Sequence, residues 1–541
     1  MNMNRFPAAF LLVPSLLFAD ADVNLSGTYT TDQDFTFSSD TTVNLNGATF
    51  TDCTLKLRGD KTVTLNLVAG TTNVFRMENL NQEPIKATKN TNLRIVGPGR
   101  LEATSLKRIT DSGKPSGVLV CNNLTVMDGD VKVVFDNNKS DTACILLKGD
   151  YLQTGGRVKV DASKKNCTNE FVGVQLSAGK SFTLRDGQFR AEIAGTKSRA
   201  IDLKSTGAAR FAGGEVRCEF EGPQGRFVNG GALRFEGGDF VFTTNVTAKM
   251  AADFLPDFLS AVKADSSIAI SGGTFRADLP LAGSEVFTTD SETGTSIDIS
   301  GGVFDLVAGD DCISANGDIT VSGGVIRGVS VFDDVLDANG DMTVSGGYVQ
   351  AWATGYGTHG LDVNRRHVLA ISGGIVVATD GVDAVPIGTA GSSEVGTVDF
   401  VQPTCYGTLQ TDAYAGKCLS LAGVTNGVPF AFAVRLPELA AGRAFNLLVS
   451  VPGRGTDVPR PVGGPEFADL AADGVPAIAV KGDMVEIGVR TLPGLSYGLL
   501  FSPDLRNWTP VGEPVRGTGG VGVLAAPTPG DRGFFRVTVS E

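Results

Sequence analysis

Carboxylates recur at matched positions in the third quarter of the chain. The segments GDDCISANGD, FDDVLDANGD, GTHGLDVNRR and ATDGVDAVPI begin at residues 309, 332, 357 and 378. Aligned, they put Asp311, Asp334, His359 and Asp380 at one position and Ser314, Asp337, Asp362 and Asp383 three residues later. Asn316, Asn339 and Asn364 share a further position, and Asp310 and Asp333 precede the first. If the segments stack, like charges come to about 5 Å from one another and repel by about 3 kcal/mol at an effective dielectric near 20. Two things relieve that: carboxyls that hold their protons, or a hard cation. Ca²⁺ takes about 6 to 8 oxygens at roughly 2.3–2.6 Å, and Asp, Asn and backbone carbonyls on adjacent turns can supply them. Asp337, with Ser314 below, Asp362 above and Asp334 and Asn339 alongside, marks the centre of such a site. The plain alternative is that Asp and Asn are solvated corner residues, where turns favour them anyway.

Other chemistry is open to the same region. The stretch YVQAWATGYG supplies Tyr348, Trp352 and Tyr356, whose faces could stack on sugar rings or pack inward. Arg365 and Arg366 stand at a corner and could grip uronate carboxylates bidentately or simply be solvated. A polysaccharide lyase would need a Lys or Arg base beside a metal-bound carboxylate. Lys263, placed in the Ser314/Asp337 column, and Arg365 are the candidates. The adjacent pairs Asp310-Asp311 and Asp333-Asp334 also suggest a glycosidase. That chemistry needs one carboxyl held protonated in an apolar setting, and an open acidic corner would leave most of them ionised.

The elements that must position these groups are read from a repeat. Ser-Gly-Gly occurs at 271, 300, 322, 345 and 372, each time after an alternating apolar run such as SIAISGGTF or DMTVSGGYV. Degenerate copies (LTVMDGDVKV, LQTGGRVKV, FTLRDGQFR, ARFAGGEVR, LRFEGGDFV) precede them, and the second turn residue recurs at a mean step of about 27 from 129 to 374. A step of that size with two or three short alternating strands suits one rung of a right-handed parallel β-helix. A propeller blade needs more residues, and the leucine frame of leucine-rich repeats is absent. The fold class is therefore all-β, a solenoid of ~27-residue rungs. Its inward column should hold Ile313, Leu336, Leu361 and Val382, and the second glycine of each corner should take the positive φ that glycine adopts freely.

Residues 22–400 are assigned to the β-helix and 401–465 to a β-rich end cap containing FAFAVRLPEL and AFNLLVSVPG. Residues 473–541 are assigned to a small C-terminal β-sandwich-like module containing MVEIGVRT, LSYGLLFS, NWTPVG and GFFRVTVS. Residues 1–21 read as a signal peptide, with Arg5, an apolar run over 6–18 and Ala19-Asp20-Ala21 as the cleavage site. The protein is expected to be secreted or held at the cell surface. No later stretch is apolar enough for a spanning helix, so no membrane insertion is expected after cleavage. Of eight cysteines, Cys405 and Cys418 flank one loop and are expected to pair; Cys53, Cys121, Cys144, Cys167, Cys218 and Cys312 read as small buried residues. With 46 Lys+Arg against 59 Asp+Glu, the net charge is −13 and the pI about 4.8. That excludes nucleic-acid phosphate binding as the main task. Only His359 and His367 are present, which speaks against a His-rich zinc site or a His-based triad.

The pattern DD-x-I/L-D-A-N-G-D-x-T-V-S-G-G resembles a family of secreted bacterial right-handed parallel β-helices described as carbohydrate-binding domain-containing proteins. The family's fold is similar to that of calcium-dependent pectate lyases, and its members bind calcium and acidic polysaccharide such as polygalacturonate. The resemblance is strongest over 265–390. It implies that Asp310, Asp311, Asp333, Asp334, Asp337, Asp362 and Asp383 are cation ligands, with Ser314 and His359 standing where the pattern has acids. The segment LSYGLLFSPDLRNWTPVG…GFFRV looks like a C-terminal β module common on exported bacterial proteins. The expectation is thus calcium-dependent, non-catalytic binding of acidic, pectin-like polysaccharide. A calcium-dependent lyase, or a structural or adhesive surface protein, remains as an alternative.

Overall fold

The computed structural model describes the chain from 17 to 540. It leaves out 19–21, 89, 108, 112–113, 137–141, 163–170, 195–197, 205, 223, 247–258, 291–293, 356, 381–396, 403, 411–415, 417, 426–427, 439–443, 451, 453–467, 470–477, 482–483, 491–495, 503–507, 517–520 and 528–533. Tyr356, Val382, Asp383, Cys167 and most of the signal segment therefore lie outside the described residues, as do the side chains of Cys405 and Cys418.

Every described element is a β-strand, and 37 strands join one hydrogen-bonded sheet. The chain is a parallel β-solenoid with three faces. One face carries short strands, among them Glu285–Thr289, Ile313–Ala315, Leu336–Ala338 and Leu361–Val363, each paired in parallel with the next. The chain then turns into a second face through strands such as Ser296–Ile299 and Asp318–Val321. At the Gly-Gly corner it bends into the third face, which includes Val303–Ala308 and Val325–Ser330. On other turns one strand runs through the corner with a shift of register and serves both faces, as in Met342–Ala353 and Val368–Asp380.

Alternation dictates which residues face inward. Val262, Phe287, Ile313, Leu336 and Leu361 form one continuous inward column, each no more than 2% exposed. On the third face Phe240, Phe275 and Phe304 stack with ring centroids 4.7 and 4.8 Å apart, so strand spacing and ring spacing coincide. The corner glycines behave as their spacing predicts: from Gly129 to Gly374, each of the ten takes a φ between +66° and +109°. A side chain there would also strike the turn below, since a Cβ on Gly347 would lie 2.7 Å from the Gly324 carbonyl oxygen.

The upper end is closed by Ala444–Ser450, from AFNLLVSVPG, which pairs antiparallel with Val368–Asp380 and with Thr404–Gln410. The FAFAVRLPEL strand, Val428–Arg435, pairs instead with Cys418–Thr425 in a separate sheet. Beyond it, two three-stranded antiparallel sheets contain the four expected C-terminal strands together with Ile478–Lys481 and Val521–Pro527, which the sequence pattern did not single out. Val485, Ile487, Tyr497, Leu499, Leu524 and Ala526 make their common apolar cluster. Among the described residues no helix is long and apolar enough to cross a membrane.

The corner geometry yields a paired prediction. Gly179 has φ +72° and nothing lies within 4 Å of where a methyl group would sit, so Gly179→Ala should cost only the left-handed penalty of about 1–2 kcal/mol. Gly347→Ala adds the clash with the turn below, roughly 1–3 kcal/mol more. Parallel thermal melts of the two variants should therefore show the larger drop for Gly347→Ala; equal drops would mean that the corner tolerates a methyl group.

Candidate metal centre

The acids gather where the third face turns into the short-strand face. Strands end at Ala308, Ser330 and Ala353, and the short strands begin at Ile313, Leu336 and Leu361. The intervening corners carry Asp310-Asp311, Asp333-Asp334 and His359. Side chains stitch them together. The Asp334 N–H donates to Asp311 Oδ1 at 3.1 Å, and the His359 N–H donates to Asp334 Oδ1 at 2.5 Å. The buried Ser330 hydroxyl donates to the Asp310 carbonyl oxygen at 2.7 Å and accepts the Asp333 N–H at 3.1 Å. On the adjoining strands Ser314, Asp337 and Asp362 are register neighbours, and the Ser314 hydroxyl donates to Asp337 Oδ2 at 3.2 Å.

Two groups of three carboxylates result, Asp311–Asp333–Asp334 and Asp334–Asp337–Asp362. In each, the nearest oxygens lie within 4.8 Å of one another, and Asp334 belongs to both. The corner is not the open, solvated one that the sequence suggested: Asp311 is 8% and Asp334 9% exposed. Burial, then the charges of Asp337 and Asp334, push the Asp311 carboxyl up to about 10. Burial and Asp362 push Asp337 up to about 7, against a downward pull from the Ser314 hydroxyl. Asp310, Asp334 and Asp362 are raised too, each first by burial and then by neighbouring acids, although His359 draws the last two down.

Glu285 joins the cluster, as sequence alignment had not shown. It begins the strand below, its carboxylate accepts the Ser260 hydroxyl at 2.8 Å, and burial raises it while Ser260 and Lys263 draw it down. The irregular spacing between the corners at 273 and 302 hid it, because counting from the glycines does not align it with Asp311. His359 is the cationic partner at the top. Burial pulls its proton affinity down, but Asp380, Asp334 and Asp362 outweigh that and raise it. Its Nδ1 lies 3.5 Å from Asp380 Oδ1, an ion-pair separation without hydrogen-bond geometry, so charge rather than a directed bond links them. Asp380 reaches His359 from the end of Val368–Asp380, one residue beyond the Thr379–Trp352 pair, rather than from within the corner column.

The remaining candidates separate. Asn316, Asn339 and Asn364 form a ladder in which each side-chain amide donates to the carboxamide oxygen of the turn below, at 3.1 Å in both steps. Asn339 is thereby engaged with its own column. Trp352 is only 4% exposed between its register neighbours Val329 and Thr379, so its indole offers no free face to a sugar. Tyr348 is half-buried near the Gly-Gly corner, its hydroxyl donating to Gln350 Oε1, and lies about 17 Å along the strand from the acid corner. Arg365 is exposed at the opposite corner of the short-strand face. Lys263 does share the outward column of Thr288, Ser314 and Asp337, but it stands three turns below Asp337, about 14 Å away at strand spacing, and is ion-paired with Asp290 at 2.7 Å. Neither candidate lyase base stands beside the two three-carboxylate groups; Lys263 acts on Glu285 below them.

The raised carboxyls set the sign of a pH effect. An acid whose folded proton affinity is raised binds its proton more tightly folded than unfolded, so it stabilises at low pH and loses that contribution as pH rises from the ordinary carboxylate range through its folded value. Without divalent cation, the melting temperature should fall between about pH 4 and 7 through Asp337, and further towards pH 10 through Asp311. Asp311→Asn should flatten that slope in a pH series of melts; a slope identical to wild type would place the proton uptake elsewhere. Compared with known proteins, the chain matches no family model, no curated protein and no solved structure.

Proposed function

We propose that the protein binds acidic polysaccharide through Ca²⁺ held at the acid corner, without catalysis. The observation that carries this reading is the pair of three-carboxylate groups sharing Asp334 on consecutive turns. Desolvated acids at such separations need protons or a cation, and a hard divalent ion accepts several carboxylates together. Asp311, Asp333, Asp334, Asp337 and Asp362 would supply most of its oxygens, with Asp310 beside them. Coordination positions left to solvent would be taken by sugar carboxylates, which makes a uronate polymer the natural ligand.

The hydrolase reading gains from the burial of these acids, since a general acid must hold its proton at working pH. It loses on arrangement: each group crowds three carboxylates with oxygens within 4.8 Å of one another, whereas glycosidic cleavage uses one pair set across the sugar. A lyase fares worse, because neither Lys263 nor Arg365 stands beside the two three-carboxylate groups.

Two measurements test the proposal. Retention on polygalacturonate gels should require calcium and vanish in EDTA; calcium-independent retention, or none, would sink it. Asp337→Ala should shrink the calcium-induced rise in melting temperature markedly while leaving the EDTA melt unchanged or slightly raised, because one repelling charge is gone. An unchanged calcium-induced rise would show that this corner is not the site.

A further inference from the structure

We propose that Phe332 is the sugar-stacking platform of the acid corner, holding the C–H face of a uronate ring whose carboxylate is bound at the adjacent cation. The inference rests on the calcium-dependent binding of acidic polysaccharide proposed above and assigns the part of the ligand that a cation cannot read.

Six large apolar side chains are exposed among the described residues, and Phe332, at 57%, is the aromatic one. It directly precedes Asp333 and Asp334, in the middle of the carboxylate cluster, whereas nearly all other described phenylalanines are buried in the solenoid core. Its backbone is pinned on both sides. Val331 N–H donates to the Ala308 carbonyl at 3.1 Å and Phe332 N–H to the Gly309 carbonyl at 2.9 Å; Asp333 N–H is held by Ser330 Oγ and Asp334 N–H by Asp311 Oδ1. The ring is therefore presented by a fixed loop. It sits in the turn beside Asp310, and the turn above passes over it as glycine: a Cβ on Gly355 would lie 3.2 Å from Phe332 Cα. No side chain from that position covers the ring.

A cation between carboxylates attracts any polyanion. A flat apolar face beside it distinguishes a pyranose ring, with its band of C–H groups, from a flexible polyanion that has none. Of the aromatic residues that the sequence offered for this task, Trp352 is buried and Tyr348 is on another part of the surface, while Tyr356 lies outside the described residues.

The test uses the full chain, with oligogalacturonate and inorganic polyphosphate as probes in millimolar calcium. Phe332→Ala should weaken oligogalacturonate binding by about tenfold or more, the size expected on losing an aromatic anchor, while Phe332→Tyr stays within about twofold of wild type. The calcium-induced rise in melting temperature and any polyphosphate binding should be the same in wild type and Phe332→Ala. The inference is overturned if Phe332→Ala binds oligogalacturonate like wild type, if Phe332→Tyr is as weak as Phe332→Ala, or if the calcium-induced rise is lost as well, which would make Phe332 a support of the cation site. Failure of wild type itself to bind oligogalacturonate would overturn the parent proposal instead, so the two failures are told apart.

Discussion

Parallel pairing in continuous register is the constraint on which the rest of this molecule depends. Once each turn hydrogen-bonds to the next along three faces, a residue position becomes a column, and the members of a column are spaced at about 4.8 Å. Nothing side by side in a column can be chosen independently. Inside, that spacing suits flat rings: Tyr29 stacks on Phe50 and Phe50 on Phe75, in each case with centroids 4.5 Å apart. It also suits carboxamides, which can donate to one neighbour and accept from the other, as in the ladders of Asn24, Asn44 and Asn66 and of Asn316, Asn339 and Asn364.

Charge is what the column handles badly, and the solenoid handles it in two ways. On the third face Lys132, Lys159, Arg190 and Arg217 succeed one another on four turns. Acids in the flanking columns offset them: Asp161 lies 3.7 Å from Lys132, Glu192 lies 2.6 Å from Lys159, and Glu215 pairs with both Arg190 and Arg217. Exposed pairs of this kind contribute little each, but they cancel the repulsion of stacking. At the acid corner no such interleaving exists among the described residues apart from His359 at the top and Lys263 well below. The carboxyls instead crowd together and, apart from the exposed Asp333, withdraw from water. Their raised proton affinities record the same imbalance that a bound cation would relieve.

The corners explain why the acids are where they are. The Gly-Gly corner is sterically closed: backbone of one turn lies against backbone of the next, and only hydrogen fits between them. The corner between the third face and the short strands is under no such restraint. It varies in length from turn to turn, and Ser330, Asp311 and Asp334 satisfy its backbone groups with side chains. A solenoid can therefore build a site there without disturbing the faces, and short loops held by hydrogen bonds keep the site rigid.

Much of this was legible in the residues because stacking makes counting meaningful. The glycine spacing located ten positive-φ glycines of one corner from 129 to 374, the alternation identified Ile313, Leu336 and Leu361 as inward, and counting from the corners put Asp337 over Ser314 and under Asp362. Counting gives a height along the axis and a direction in or out. It gives neither depth nor sideways reach, and it fails across turns of unequal length. Tertiary structure alone decided that Asp311 and Asp334 are buried, that Glu285 belongs with them, and that Asp380 reaches His359 from a strand end. It also decided that Trp352 is covered while Phe332 is not. The physical reason is common to all of these: exposure and desolvation depend on what the neighbouring corner loops place over a side chain, and those loops differ in length from turn to turn, so counting cannot follow their paths.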